Sequence, residues 1–550
     1  MGPHGGKTFG QDRDSTVVAE RTVYDYFVPN FQAAIDSGVA TAMEAYSDIN
    51  GEPVVASSKY LQELLRNEMN FKGMLVTDWA EIQNLYTTHK VASSHKEAVR
   101  LAIDSTSIDM SMVPEDAASF YDSLVALVQE GVISKDRIDE STGRLLQLKK
   151  DLGLFEGWAT DRTLAVELDD GHEKLRRQEV AVESARQSIT LLKNNQVLPL
   201  GPNIKRILVV GPSANDLSHL AGGWTIQWQG ATKDRWHGPV EDDQFYGQGV
   251  TILEGIRHEA PTGVEAVDYL EGFDIHGNVT NMDKVLDAVA GYDVVVAAIG
   301  EHVYTEVPGN VHDIRLPVGQ IQSIAQLAEK GKPVITVLVE ARPRVLETIV
   351  DHSSALLQAF LPGPWGGKAI GEILFGITNP SGRLPYTYPK HVGDLAVNYW
   401  HPVNDVWDPL YEFGHGLSYS NFSYSSTISL SLSDGLSTTK GLPILSSAQP
   451  RTLSVVVTNQ GPYDGHETVL MYVQQPYRRI TPPAKLLKGF QKVFVKAGEQ
   501  ALVEFDLTAD MFAYTGMDDI PHGTIDQGTV KVLIGGSTLD VHLSDKTELD

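Results

Sequence analysis

The spacing of apolar residues changes character along the chain, and each change marks a new kind of element. Up to about residue 158, short apolar runs alternate with stretches of helical period. AERTVYDYFVPNFQAAIDS (19–37) predicts an amphipathic helix interrupted at Pro29, VATAMEAY (39–46) an apolar stretch, SKYLQELLRNEM (58–69) a helix, and MLVTDW (74–79) a short buried strand running into an acid. HKEAVRLAIDS (95–105) is again helical, SIDMSM (107–112) reads as a short strand, and AASFYDSLVALVQEG (117–131) and DRIDESTGRLLQLKKDLGLF (136–155) supply further helices. Such alternation predicts a parallel sheet wrapped by helices. A closed eight-stranded barrel needs roughly 250 residues, so about three strands here correspond to part of one.

From about residue 190 to 390, β-branched apolar runs dominate: RILVVGP, VEAVDYL, DVVVAAIG, PVITVLVEA and SALLQAFLPG, with helical segments such as GQIQSIAQLAEKGK between several of them. A doubly wound α/β sandwich is expected. After YEFGHGLSYSNFSY the pattern turns to strict alternation in RTLSVVVTNQG, ETVLMYVQQ, LLKGFQKVFVKAGEQALVEFDL and TVKVLIGGS, broken by Gly, Asn and Pro, which predicts a β-sandwich. Neither an internal repeat nor a long low-complexity tract is present.

Composition narrows the setting. A chain of 550 residues is too long for one hydrophobic core. The 44 basic and 71 acidic side chains leave a formal charge of -27, which disfavours nucleic acid and anionic membrane surfaces and suits a neutral ligand such as a sugar. There is no cysteine, which excludes disulfides, thiolate metal sites and cysteine nucleophiles. No apolar run approaches the ~20 residues that span a bilayer. The opening MGPHGGKTFGQDRDST has no signal-peptide core and reads as a start made inside a longer sequence.

Three stretches carry candidate chemistry. Asp78 and Trp79 follow a buried strand at the end where parallel sheets keep their sites. A carboxylate beside an indole suits glycosidic-bond hydrolysis, though an Asp in that position also commonly caps the next helix. GEHVYTEVPGN (300–310) places Glu301 and Glu306 on the loop after DVVVAAI; either could serve as a general acid, or both could be solvated loop residues. GGWTIQWQG (222–230) frames Trp224 and Trp228 with glycines, so the two indoles either clamp a sugar ring or plug a gap in the packing. The 17 histidines show no HExxH or comparable ligand spacing, and neither metal nor cofactor is expected.

Taken in order, MLVTDWAEI, GGWTIQWQG, GEHVYTEVPGN, LVEARPR, LPGPWGGKAIGEILFGITNPSGRLPYTYP and YEFGHGLSY resemble glycoside hydrolase family 3, in its β-glucosidase and exo-β-glucanase branch. The resemblance implies a partial (β/α)8 barrel over 1–158, a linker over 159–190, an α/β sandwich over 191–390, a linker over 391–425, and a fibronectin type III-like β-sandwich over 426–550. It also implies roles: Asp78 as nucleophile, Glu306 as acid/base with Glu301 as the fallback, Trp79 lining the -1 subsite, Tyr46 among the substrate-binding residues near the nucleophile and within hydrogen-bonding reach of it, and Trp224 with Trp228 gripping the sugar at +1. The implied activity is retaining hydrolysis of terminal β-D-glucosyl residues from β-glucosides or β-glucan oligosaccharides, in a family that is often secreted.

The sequence departs from the family in one respect. The earlier barrel strands, which supply an Asp, an Arg and a Lys-His dipeptide for the -1 sugar, have no counterpart; His4 and Lys7 do not reproduce that pattern. Open sheet edges would favour association of copies. Two other readings stand beside the enzyme: a non-catalytic β-glucan-binding or interaction protein that keeps Trp224, Trp228 and the β-sandwich, and a nucleotide-binding α/β protein, which the lack of both GxGxxG and a Walker A loop disfavours.

Overall fold

The computed structural model describes residues 11–157, 171–225, 227–230, 249–394, 397–431, 438–439, 442–445, 450–516 and 523–544. They divide into two compact units, the first formed mainly by the chain up to Ala165 and the second by Val166–Ala513 with the segment from Gly523 onward. His4 and Lys7 lie outside the described residues.

In the first unit, β1 (Thr41–Met43) and β2 (Met74–Val76) pair in parallel, Thr41 against Met74 and Met43 against Val76. Helices Glu81–Thr87, His95–Ser105, Ala117–Gln129 and Lys135–Asp151 follow. Leu75 packs into a core with Ile82, Leu85, Val99, Ile103, Ile108 and Leu127, all buried. The stretch SIDMSM, expected to be a strand, contributes only an isolated parallel bridge from Met110 to Val76. The reason is Asp109, whose Oδ2 accepts the Leu75 N–H at 2.9 Å, the donor that a third strand's carbonyl would otherwise take. The segment 19–37 is also broken differently from expectation. A π-helical turn, Val23–Phe27, interrupts it, and Pro29 sits in the first turn of the helix Val28–Asp36, where its missing N–H costs nothing.

Asp109 also anchors a charge cluster beneath β2. Its fully buried carboxylate meets Arg66 Nη2 and Arg144 Nη1, each at 2.9 Å. Arg66 donates as well to the carbonyls of Phe71 at 3.0 Å and Gly73 at 2.6 Å, so the turn entering β2 is fastened from the helix Lys59–Glu68. Beyond β2, Thr77 is buried and its hydroxyl accepts the Met112 N–H at 2.9 Å. The strand that ends at Asp78 is therefore held on both sides.

The second unit contains a six-stranded sheet. Its strands are β3 (Thr190–Asn194), β4 (Arg206–Val210), β5 (Ala266–Leu270), β6 (Val294–Gly300), β7 (Val334–Val339) and β8 (Ala355–Gln358), in the order β3-β8-β7-β6-β4-β5. All neighbours are parallel except β3, which runs antiparallel to β8. Every residue of β6 and β7 is buried, as expected for strands covered on both faces. Along β6, Val294, Val296 and Ala298 face one core and Val295, Ala297 and Ile299 the other, so a single apolar run serves both layers.

The same unit continues into a β-sandwich of a four-stranded and a six-stranded sheet. Along Arg451–Asn459 the buried residues alternate strictly, and Leu453, Val455 and Val457 join the sandwich core. The family of layers expected from the sequence is thus present: parallel strands with helices, a doubly wound sheet, and a β-sandwich.

Candidate active site

In the first unit the chemistry gathers at the carboxyl end of β2. The carboxylate of Asp78 does not cap the helix that follows. That helix, Glu81–Thr87, has Ala80 in left-handed conformation at its N-cap and no side-chain cap, while Asp78 Oδ1 accepts the N–H of Trp79 at 2.6 Å. Tyr46, three residues beyond β1, stands near the Asp78 carboxylate; burial first, and then the negative charge of Asp78, push its phenol up. Arg13 lies over the Tyr46 ring, 3.9 Å from its centroid, bringing a cation to this corner. Trp79 is 57% exposed. Two further acids, which the sequence did not single out, complete the corner. Glu44 Oε1 accepts the Asp78 N–H at 2.8 Å, and the buried Glu81 pairs with His89 Nε2 at 2.7 Å.

In the second unit the corresponding end of the sheet is equally rich. Glu301 directly follows β6, Glu340 directly follows β7, and Gln358 closes β8. The geometry separates Glu301 from Glu306. Glu301 is buried; its Oε1 pairs with Arg342 Nε at 2.8 Å and with Arg344 Nη1, and its Oε2 accepts the Tyr304 hydroxyl at 3.0 Å. Arg342 also covers the Tyr304 ring at 4.3 Å. A carboxylate whose oxygens are all engaged is a structural anchor for the loop. Glu306, five residues on, is half-buried and has φ 50 and ψ -144. Glycine adopts that conformation freely, whereas a residue with a Cβ is strained there by about 1–3 kcal/mol.

Trp224 and Trp228 are 67% and 47% exposed, so they do not plug the core. Their rings meet edge to face, 6.5 Å between centroids, and the Trp224 N–H donates to the Trp228 carbonyl at 2.9 Å. The loop that carries them is bound to the loop that carries Glu306. Gln229 makes a two-way amide clamp: its Nε2 donates to Thr305 O at 3.0 Å and its Oε1 accepts the Thr305 N–H at 3.2 Å. Gly223 allows the approach, since a Cβ there would stand 2.4 Å from the Tyr304 carbonyl. The pair WQ within the tryptophan stretch gave no sign of this clamp.

Beneath the Glu301 cluster lies a second buried acid. Glu340 has no exposed surface; Oε1 accepts the Tyr388 hydroxyl at 2.7 Å, and Oε2 has no hydrogen-bond partner. Burial, reinforced by the charge of Glu301, pushes its carboxyl up to about 8. Because the folded state then holds this proton more tightly than the unfolded chain, Glu340 disfavours folding increasingly as pH rises from about 4.5 to about 8, and the effect is constant above that. Glu340→Gln, which cannot ionise, is expected to flatten the fall of thermal midpoint between pH 5 and 8, as measured by scanning calorimetry; parallel curves for the two proteins would contradict a buried neutral carboxyl.

Parallel strands ending in acids, exposed indoles and a β-sandwich are the features a family comparison has to account for. In comparison with known families, the model of the glycosyl hydrolase family 3 N terminal domain matches residues 3–148, that of the glycosyl hydrolase family 3 C-terminal domain 189–419, and that of a fibronectin type III-like domain 467–538. The chain belongs to glycosyl hydrolase family 3. It is 39% identical over 545 residues to a lysosomal beta glucosidase of Dictyostelium discoideum, covering 98% of this chain and 64% of that protein. It is 29% identical to a periplasmic beta-glucosidase of Salmonella typhimurium, covering 93% and 68% respectively. Among solved structures, a beta-glucosidase from Listeria innocua in complex with glucose superimposes with a TM-score of 0.82 at 28% identity, covering 98% of this chain and 72% of that one. The chain thus spans roughly two thirds of the length of these relatives. Among the described residues no helix is long and apolar enough to cross a membrane, and no group of histidines and acids could hold a metal ion.

Proposed function

We propose that this chain is a retaining β-glucosidase that removes terminal non-reducing β-D-glucosyl residues from β-glucosides or β-glucan oligosaccharides. The observation that carries the proposal is the Asp78 carboxylate: it stands at the end of a firmly held strand, near the Tyr46 phenol, and does not serve the following helix. In this mechanism Asp78 attacks the anomeric carbon, the bond to the leaving oxygen breaks as that oxygen takes the proton of Glu306, and a covalent glycosyl-enzyme forms. Water then gives its proton to Glu306 and its oxygen to the anomeric carbon, releasing Asp78 with net retention. Glu306 is favoured over Glu301 as the acid because Glu301 is already shared between Arg342 and Arg344. Keeping a Glu at a strained backbone position also fits a role for its side chain. Trp79 and Tyr46 would bound the -1 sugar, and Trp224 and Trp228 would stack on the sugar at +1.

The relatives are named as hydrolases, which favours this reading over one of binding alone. Their lysosomal and periplasmic names also support a compartment outside the cytosol. The net charge of -27 is compatible with a neutral saccharide. The test is to follow hydrolysis of 4-nitrophenyl β-glucoside, with the β-xyloside in parallel, by proton NMR. β-Glucose as the first-formed sugar supports the proposal; α-glucose first, or preference for the xyloside, overturns it. Glu306→Ala is expected to slow alkyl β-glucosides by about a hundredfold or more while slowing 2,4-dinitrophenyl β-glucoside far less, because that leaving group departs without a proton. Equal losses on both substrates would remove Glu306 from the acid role.

A further inference from the structure

Glu44 has no part in the mechanism above, yet it touches the residue at its centre. It lies one residue beyond β1, where its N–H donates to Val76 O at 3.1 Å, and it is only 5% exposed. Oε1 accepts the peptide N–H of Asp78 at 2.8 Å, whereas Oε2, equally buried, has no hydrogen-bond partner. Among the described residues, the charged groups that act on it are both acidic: Glu81 and Asp78. Glu81 is committed to His89 at 2.7 Å and Asn84 at 2.6 Å, and Arg13 lies over the ring of Tyr46.

We propose that Glu44 is a positioning residue for Asp78, its neutral carboxyl clamping the Asp78 peptide through Oε1 and keeping its proton on Oε2, so that the pair presents one negative charge instead of two. The inference rests on the reading of Asp78 as nucleophile. An ionised Oε2 would be a buried anion with no donor, next to two more carboxyl groups; a neutral hydroxyl left without an acceptor is much less unfavourable. Burial above all, with the charges of Glu81 and Asp78, holds the Glu44 carboxyl well above the usual carboxylate range, and the N–H of Asp78 only partly offsets this. The clamp fixes the backbone from which the Asp78 side chain projects, and a small displacement there is costly to an in-line attack. Neutrality also spares Asp78 a second negative charge that would draw protons to the site.

The experiment compares the full 550-residue chain with E44Q and E44A by two readouts. The infrared difference between wild type and E44Q at pH 7 is expected to contain the C=O stretch of one protonated carboxyl, separate from the carboxylate bands; its absence overturns the proposal whether or not the chain is active. The second readout is the rate of covalent labelling by 2-deoxy-2-fluoro-β-glucosyl fluoride. E44A is expected to label about tenfold or more slowly, with E44Q recovering most of that loss through its amide oxygen. E44A labelling at the wild-type rate overturns the clamp. If wild type itself takes no label, the glucosidase reading fails, and deuterium uptake over residues 74–80 decides the clamp: faster exchange in E44A than in E44Q supports it, and equal exchange overturns it.

Discussion

Asp78→Ala is expected to lower the release of 4-nitrophenol from 4-nitrophenyl β-glucoside by about ten-thousandfold or more, the scale seen when a nucleophile is removed and the rest of a site remains. The fold should tolerate the change, because β2 is held by Leu75, Thr77 and Met110 and not by the Asp78 side chain. The shortened side chain leaves room for a small anion, so added azide should restore part of the activity. Since azide would then attack from the side that Asp78 occupied, the product should be α-glucosyl azide. Substantial hydrolysis by the variant without azide would show that the nucleophile lies elsewhere.

Asp109→Ala is expected to have the largest effect on stability. It strands Arg66 and Arg144 without their shared carboxylate and leaves the Leu75 N–H without an acceptor. Removing one member of a buried ion cluster typically costs about 3–5 kcal/mol. Loss should be local first, since the two units have separate cores, so hydrogen exchange is a better gauge than a single melting temperature. Faster exchange in the peptide spanning β2 is expected in Asp109→Ala, and less so in Asp109→Asn, which retains an oxygen for Leu75. Unchanged protection of β2 would mean that the apolar packing of Leu75 alone secures the strand.

How legible this molecule is depends on sequence distance. The run DVVVAAI announces a strand buried on both faces, and RTLSVVVTN announces its one-sided counterpart, because each pattern is completed within a few residues. The position of Asp78 at a strand end was readable for the same reason. What could not be read are the contacts that decide roles. SIDMSM has the composition of a strand, but the Asp109 side chain takes the place of a ladder carbonyl, and its partner Arg66 lies 43 residues away. Nothing in GEHVYTEVPGN says that Glu301 is occupied; that comes from Arg342 and Arg344 on the loop after the next strand. Glu44 reads locally as one acid in an apolar stretch, and only the return of the chain at Asp78 gives it a partner.

The amide clamp of Gln229 on Thr305 has a consequence for how substrate preference can diverge among related proteins. The indole-bearing loop and the acid-bearing loop are 76 residues apart in sequence, yet they are joined like two pages of one hinge-bound leaf. Importing a foreign 222–230 segment alone would leave both backbone groups of Thr305 without their amide and press a side chain against Tyr304 wherever Gly223 was not kept. On the proposed roles of Trp224, Trp228 and Glu306, leaving-group taste and proton delivery should therefore be inherited together, and a chimera that exchanges both loops as a matched cassette is the one that should survive.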